Sequence, residues 1–293
     1  MWEQLEHFSV DLVSADWRLG SAVILSNTNQ KISWSYNTKN RWLISIGQLI
    51  SNFHMTMGEE EIPFELTDTD RENLLAGDER FTPISWEELK QTIGSLALPC
   101  SIPHWKLCQR LALTADNNLS ILKRKPSDLQ RYIVWTRQTN AKYGNLTNFL
   151  CQERLQWTPL PSSSSASSKT GPIFECKKET PFAAQEDYQI LRNDWPYGLE
   201  EGIVHLVVWL KTRIPVQEPD GYLLPESEAM IETFVQSTFV EGLRGKGIDP
   251  EDKVVWFKNW VSLQSVRGLD HLHVLVRDVP EEVVEEWTRR YGS

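Results

Sequence analysis

The run LDHLHVLVRD, residues 269–278, places His271 and His273 one residue apart in an apolar setting. Imidazole is the side chain whose charge changes nearest neutral pH. A histidine pair is therefore a candidate for acid–base work, nucleophilic attack or metal ligation. On a strand, alternate residues share a face. His271, His273, Leu275 and Arg277 then lie on one face, and Leu272, Val274 and Val276 form an apolar face behind them. GIVHLVVWLKTRI, 202–214, repeats this: Val204, Leu206, Val208 and Leu210 read as core, with His205, Val207, Trp209 and Lys211 opposite. In KVVWFKNW, 253–260, Val255 and Phe257 read as core, with Trp256, Lys258 and Trp260 opposite.

If the three strands share a sheet, their second faces combine His205, Trp209, Lys211, Trp256, Lys258, His271, His273 and Arg277. Rings to stack on and cations to pair with suit an anionic ligand with a planar part. In the turn-rich LRNDWPYGLEEG, 191–202, Arg192 is a further cation and Asp194 a carboxylate able to orient an imidazole. The roles expected are His271 or His273 as acid–base or nucleophile, with Arg192, Lys211, Lys258 and Arg277 holding the anion. Trp209 and Trp256 would wall the pocket, and His205 and Gln264 would line it. The bland alternative is an ordinary solvated or helix-covered sheet face, with Trp195 as core.

Metal chemistry fits poorly. Cys100, His104 and Cys108 are spaced by four, but Pro103 starts a helix there and leaves Cys100 outside it. His205, His271 and His273 could make a three-His zinc site, yet Lys211, Lys258 and Arg277 nearby disfavour a cation. There is no glycine-rich dinucleotide fingerprint and no P-loop, so no cofactor is expected.

The elements that position these residues fall into two stretches. In the first, Thr69-x-x-Glu72 and Ser85-x-x-Glu88 read as capping boxes, the latter opening SWEELKQTIGSL. PHWKLCQRLAL is a second helix. SDLQRYIVWTRQTNAKY follows, opened by Ser127-x-x-Gln130 and stopped at Gly144, and Asn145 caps NLTNFLCQERLQW. PLPSSSSASSKTGP, 159–172, cannot bury enough apolar area to order itself and reads as a disordered loop. Beyond it come the three strands, the amphipathic PESEAMIETFVQSTFVEGLRG, and a C-terminal helix with acids in its first turn. The expected fold is α+β: a mostly antiparallel sheet in the C-terminal half, packed by helices from both halves. Residues 1–58 show no persistent period and read as a poorly structured extension, although SAVILS and RWLISIGQLI could be strands or a helix. Residues 59–293 form the domain, and Met55 or Met57 looks like a natural start.

A net charge of −10 argues against a nucleic-acid partner. No apolar stretch is long enough to span a membrane, no secretory signal is evident, and four scattered cysteines read as reduced thiols. The expected location is the cytoplasm.

Three blocks, PSDLQRYIVWTRQTNAKYGNLTNFLCQERLQW, ILRNDWPYGLEEGIVHLVVWLKTRIPV and WFKNWVSLQSVRGLDHLHVLVRD, resemble the fungal N-acetylglucosamine-induced protein family, over about residues 62–290. That family is largely a domain of unknown function. The resemblance implies a fungal, cytoplasmic protein linked to N-acetylglucosamine response and cell-wall precursor metabolism, and supplies no reaction. A second, partial likeness is to the histidine-triad nucleotide hydrolases and transferases. Here only two histidines alternate, Leu275 or Leu269 standing for the third, and Gln264 lies further upstream than in that motif.

The functional expectation is an enzyme acting on an anionic metabolite, a sugar phosphate or nucleotide sugar, by His-based non-redox acid–base or transfer chemistry. The alternatives are a non-catalytic metabolite-sensing protein using the same face, and a non-redox tailoring enzyme of fungal secondary metabolism.

Overall fold

The computed structural model describes residues 64, 66–93, 119, 122–161, 171–217, 221–259 and 264–290, and the backbone of three earlier strands. The stretch 103–113 with Cys100, His104 and Cys108, RWLISIGQLI at 41–50, Trp260 and the serine run 162–170 lie outside the described residues.

The chain divides into two units, Met1–Glu61 and Ile62–Ser293. In the first, β1 (Asp11–Asp16), β2 (Ser21–Leu25) and β3 (Lys31–Ser35) pair antiparallel in that order, with a register shift between Leu12 and Ser14. SAVIL, ambiguous between strand and helix in sequence, is β2.

The second unit is α+β. Its first helix, α1 (Asp68–Ala76), is capped by Thr67, which accepts from the Asp70 N–H while Asp70 accepts from the Thr67 N–H. The box expected at Thr69 and Glu72 therefore sits two residues earlier. The second box is where the spacing put it: Glu88 accepts from the Ser85 N–H at 2.9 Å, opening α2 (Trp86–Ile93). The long α3 (Pro126–Tyr143) starts on proline at its first turn rather than at Ser127, whose N–H donates to Asp78. It stops at Gly144, φ 84°, a left-handed turn that glycine enters without steric cost. Asn145 then caps α4 (Leu146–Phe149), which runs into a π-helical segment, Leu150–Leu155.

The sheet is wholly antiparallel: β4 (Tyr188–Arg192), β5 (Ile203–Leu210), β9 (His271–Arg277) and β8 (Val254–Phe257), in that spatial order. A short hairpin, β6 (Val216–Gln217) and β7 (Tyr222–Leu223), leads to α5 (Pro225–Val235). A π-helical turn, Gln236–Val240, joins α5 to α6 (Glu241–Gly245), and α7 (Glu281–Thr288) closes the chain.

One sheet face is the main core. Leu206, Val208, Leu210, Leu272, Val274 and Val276 pack against Ile231, Phe234, Phe239 and Val284. Each such side chain, removed from water, contributes roughly 1.5–3 kcal/mol to folding. The second face is not solvated. Helices and loops of the first half cover it, and His205, Val207, Trp209, His271, His273 and Leu275 are all buried.

Strand β8 corrects the alternation expected for it. Val254 and Trp256 pair with Val276 and Val274, so they lie on the main core face. Val255 and Phe257 pair with Leu275 and His273 and share the histidine face. Both faces of a buried strand are apolar, so composition alone could not fix which half of the alternation pointed which way.

Candidate functional site

Register brings the histidines together. His205 lies opposite Leu275 across β5 and β9, Val207 opposite His273, and Trp209 opposite His271. The His205 and His273 rings hydrogen-bond, Nε2 to Nδ1, at 2.9 Å. Beyond them the contacts continue on both sides: the Asn193 amide nitrogen lies 3.4 Å from His205 Nδ1 and 3.3 Å from its Nε2, over the ring, and the Asn259 side chain 3.2 Å from His273 Nε2. Tyr197 stacks on His205 with ring centroids 5.3 Å apart, and Phe257 on His273 at 4.7 Å. His271 packs against Trp209 at 4.6 Å, and its Nδ1 lies 3.0 Å from the Leu269 carbonyl.

Burial holds all three imidazoles neutral, because a desolvated cation is costly. It pushes His205 down to about 3, with the nearby Arg124 charge adding to the effect. Burial likewise pushes His271 down to about 4, against the Leu269 carbonyl, which favours the proton. His273 is held well below its ordinary value, first by burial and then by its histidine neighbours.

The hydrogen bonds separate the roles. Both nitrogens of His273 are engaged within the protein. In His271 a carbonyl can only accept, so Nδ1 carries the proton and Nε2 keeps its lone pair. That nitrogen has no hydrogen-bond partner among the described residues. A carbonyl-fixed tautomer with a free Nε2 is what a base, nucleophile or acceptor requires. The three rings do not make a ready metal cage, since His205 and His273 spend a nitrogen each on one another.

These groups border a cavity of about 430 Å³ between the histidine face, α3, α4 and the 191–197 loop. Of the residues singled out by sequence, His271, His273, Asp194, Arg192, Trp209 and Gln264 line it. His205 stands behind His273. The other four lie outside. Trp256, on the opposite face, donates its indole N–H to Glu232 at 3.0 Å. Lys211 sits 3.9 Å from Asp187 and over the Trp157 ring, and Lys258 is buried 3.7 Å from Asp270. Arg277 is held by Asp252 at 2.7 Å, over the Trp86 ring. The lining arginine and aspartate have outside partners too: Arg192 pairs with Glu281, and Asp194 with Arg154 at 2.7 Å. Among the described residues Asp194 has no hydrogen bond to a histidine, so the orienting role expected of it is not in the geometry described.

Sequence reading missed Arg124, Asn259 and Asn193. Arg124 projects from the segment before α3. Its guanidinium lies 4.4 Å from the Tyr132 ring centroid and 5.3 Å from that of Tyr197, and its Nε donates to the Trp195 carbonyl. No carboxylate pairs with it among the described residues. The KRKP context gave no cue, because a basic triplet before a helix usually marks a solvated surface. Aromatic rings form much of the wall: Tyr132, Trp135, Phe149, Trp195, Tyr197 and Trp209. Leu150, where the π-helical segment begins, lines it as well; such distortions recur at functional sites.

The fold and cavity define a class: an α+β protein whose antiparallel sheet buries a histidine face under helices, with an aromatic pocket between them. Residues 104–277 match the family described as "Protein of unknown function (DUF3605)", and the chain belongs to that family. It is 39% identical over 107 residues to N-acetylglucosamine-induced protein 1 of Candida albicans, covering 36% of this chain and 40% of that protein's length. An uncharacterized protein of Saccharomyces cerevisiae is 29% identical over 173 residues, 59% of this chain and 78% of that one. The crystal structure of HTC1 is 26% identical and covers 63% of this chain and 90% of that one, with a TM-score of 0.42. Among the described residues no helix is long and apolar enough to cross a membrane.

Proposed function

We propose that the cavity binds a small anionic metabolite of the sugar phosphate or nucleotide sugar class, in the cytoplasm, with Arg124 as anchor for the anion. The observation that carries this is Arg124 itself: a guanidinium held between two tyrosine rings at a cavity wall, with no carboxylate in ion-pair contact with it among the described residues. A cation fixed by aromatic contacts loses little freedom on meeting an anion, and charge-assisted hydrogen bonds are the strong ones. The name of the Candida relative, which speaks of induction by N-acetylglucosamine, is consistent with amino-sugar metabolism as the setting. Titration calorimetry with glucose 6-phosphate, N-acetylglucosamine 6-phosphate and a nucleotide sugar tests this. Arg124→Met keeps the stacked stem and removes the charge, and binding should weaken about ten- to a hundredfold, the equivalent of one or two charge-assisted hydrogen bonds. Unchanged affinity in a folded variant removes Arg124 as anchor, and no binding by any of the probes removes the reading.

If the protein is an enzyme, His271 is the group placed for acid–base or transfer chemistry, because its Nε2 is the uncommitted ring nitrogen at the wall. A sensing protein is the second reading. It is favoured by His273, whose nitrogens are both spent on neighbours, leaving one open histidine where the sequence offered two. Product detection after incubation with the bound probe separates the two.

A further inference from the structure

Three rings on the cavity wall, Trp135, Phe149 and Trp195, are only partly buried. Trp195 meets Tyr132 at 51° and Trp135 at 45°, and Phe149 meets Trp135 at 82° and Tyr143 at 65°. Among the described residues no parallel ring covers a face of Trp195 or Phe149. Aromatic faces left uncovered in a cavity are stacking surfaces. The cation stands next to them: Arg124 Nε donates to the Trp195 carbonyl at 3.2 Å, and its guanidinium lies over Tyr132, whose ring centroid is 5.4 Å from that of Trp195.

The polar side chains of the wall are mostly committed to the protein. Thr67 and Asp70 close the cap of α1, Asn193 accepts from the Trp195 N–H, and Gln264 donates to the Asn259 carbonyl at 2.6 Å. Arg192 and Asp194 pair with Glu281 and Arg154, and Asn259 Oδ1 is sealed from solvent. Besides the exposed Ser265 and Arg267, that leaves Arg124 and His271 Nε2. A sugar ring brings several hydroxyls, each a donor and an acceptor, and this wall answers few of them. A flat heterocycle needs faces to stack on and one acceptor for an N–H at its edge.

We propose that the cavity recognises the base of a nucleotide: the base stacks on the wall formed by Trp135, Phe149 and Trp195, its phosphate pairs with Arg124, and an N–H on the base edge donates to His271 Nε2. This rests on the cavity being the anion site proposed above, and it names the part of the ligand that the site reads. A volume of about 430 Å³ is within the range of pockets that enclose a ligand of this size.

The test compares uridine 5′-monophosphate with ribose 5-phosphate, which lacks the base, and with glucose 6-phosphate, by calorimetry on the full chain. The expected result is a preference of about tenfold or more for the nucleotide, the scale of one base stacked on aromatic side chains. That preference should shrink in Trp195→Leu or Phe149→Leu while ribose 5-phosphate affinity stays within about threefold; a preference kept in full by both variants overturns the stacking assignment. Wild type that binds either sugar phosphate as tightly as the nucleotide overturns base recognition and leaves the anion site standing. Absence of binding by every probe overturns both. Nitrogen NMR of the imidazoles gives a second readout that needs no variant. The His271 Nε2 resonance should move on adding uridine 5′-monophosphate and stay in place with ribose 5-phosphate; no movement with the nucleotide bound removes His271 as the acceptor.

Discussion

His273 is bonded at both ring nitrogens and enclosed by Phe257, Tyr197 and its histidine neighbours, so removing it strikes stability first. His273→Ala strands the His205 and Asn259 groups and should cost about 1–3 kcal/mol in urea denaturation. His271→Ala gives up one carbonyl hydrogen bond and should cost less, while weakening probe binding in the folded protein. The same burial predicts acid sensitivity. Each folded-state pKa lies below the ordinary 6.5, so an unfolded histidine takes up a proton that the folded one refuses. This stability is fully present above about pH 6.5 and is lost as pH falls toward about 4 for His271 and about 3 for His205. Within that window each histidine contributes a slope of about 1.4 kcal/mol per pH unit. Denaturation midpoints at pH 7 and pH 5 should therefore differ clearly in the wild type, and the difference should shrink in His205→Phe. An equal pH dependence in that variant would show that His205 is not the neutral buried group described.

At the scale of elements, the cavity depends on close seams. Gly268 precedes β9, and a Cβ there would meet Thr147 Oγ1 of α4 at 2.4 Å. Gly268→Ala should force α4 away from the segment that carries Gln264 and His271, costing about 1–3 kcal/mol by overpacking. The checks are the melting temperature and probe affinity; a variant with wild-type values of both would show that the seam yields freely. The ends of the serine run are already tied, since the Leu160 N–H donates to the Ile173 carbonyl at 2.8 Å. Loop length costs entropy only slowly, so deleting 162–170 should leave folding intact, measured as yield of folded protein and its melting temperature. Most helices and three of the four sheet strands were legible because caps, glycine stops and alternation are local signals. The proline start of α3 replaced the expected Ser127 cap because Asp78, distant in sequence, claims the Ser127 N–H. β4 was not legible: QILR is too short to show a period, and only pairing with β5 makes it a strand.

For the whole molecule, the division between Glu61 and Ile62 predicts that the second unit folds alone. A chain beginning at Met57 should melt within a few degrees of the full chain and bind the same probes; a larger drop would show that the first 56 residues support the core. What the sequence alone determined is the α+β class, the placing of His271 and His273 on one face of a strand and of His205 on the like face of another, and the apolar faces behind them. Those follow from period and composition, which act over a few residues. Tertiary structure decided the rest. It covered the histidine face with helices, turned β8 so that Trp256 left that face, and drew Lys211, Lys258 and Arg277 to carboxylates outside the cavity. It also brought Arg124, Asn193 and Asn259 to the histidines from three distant segments. Which polar groups meet across a buried face depends on register and on hydrogen-bond partners far apart in the chain, and no local pattern records those.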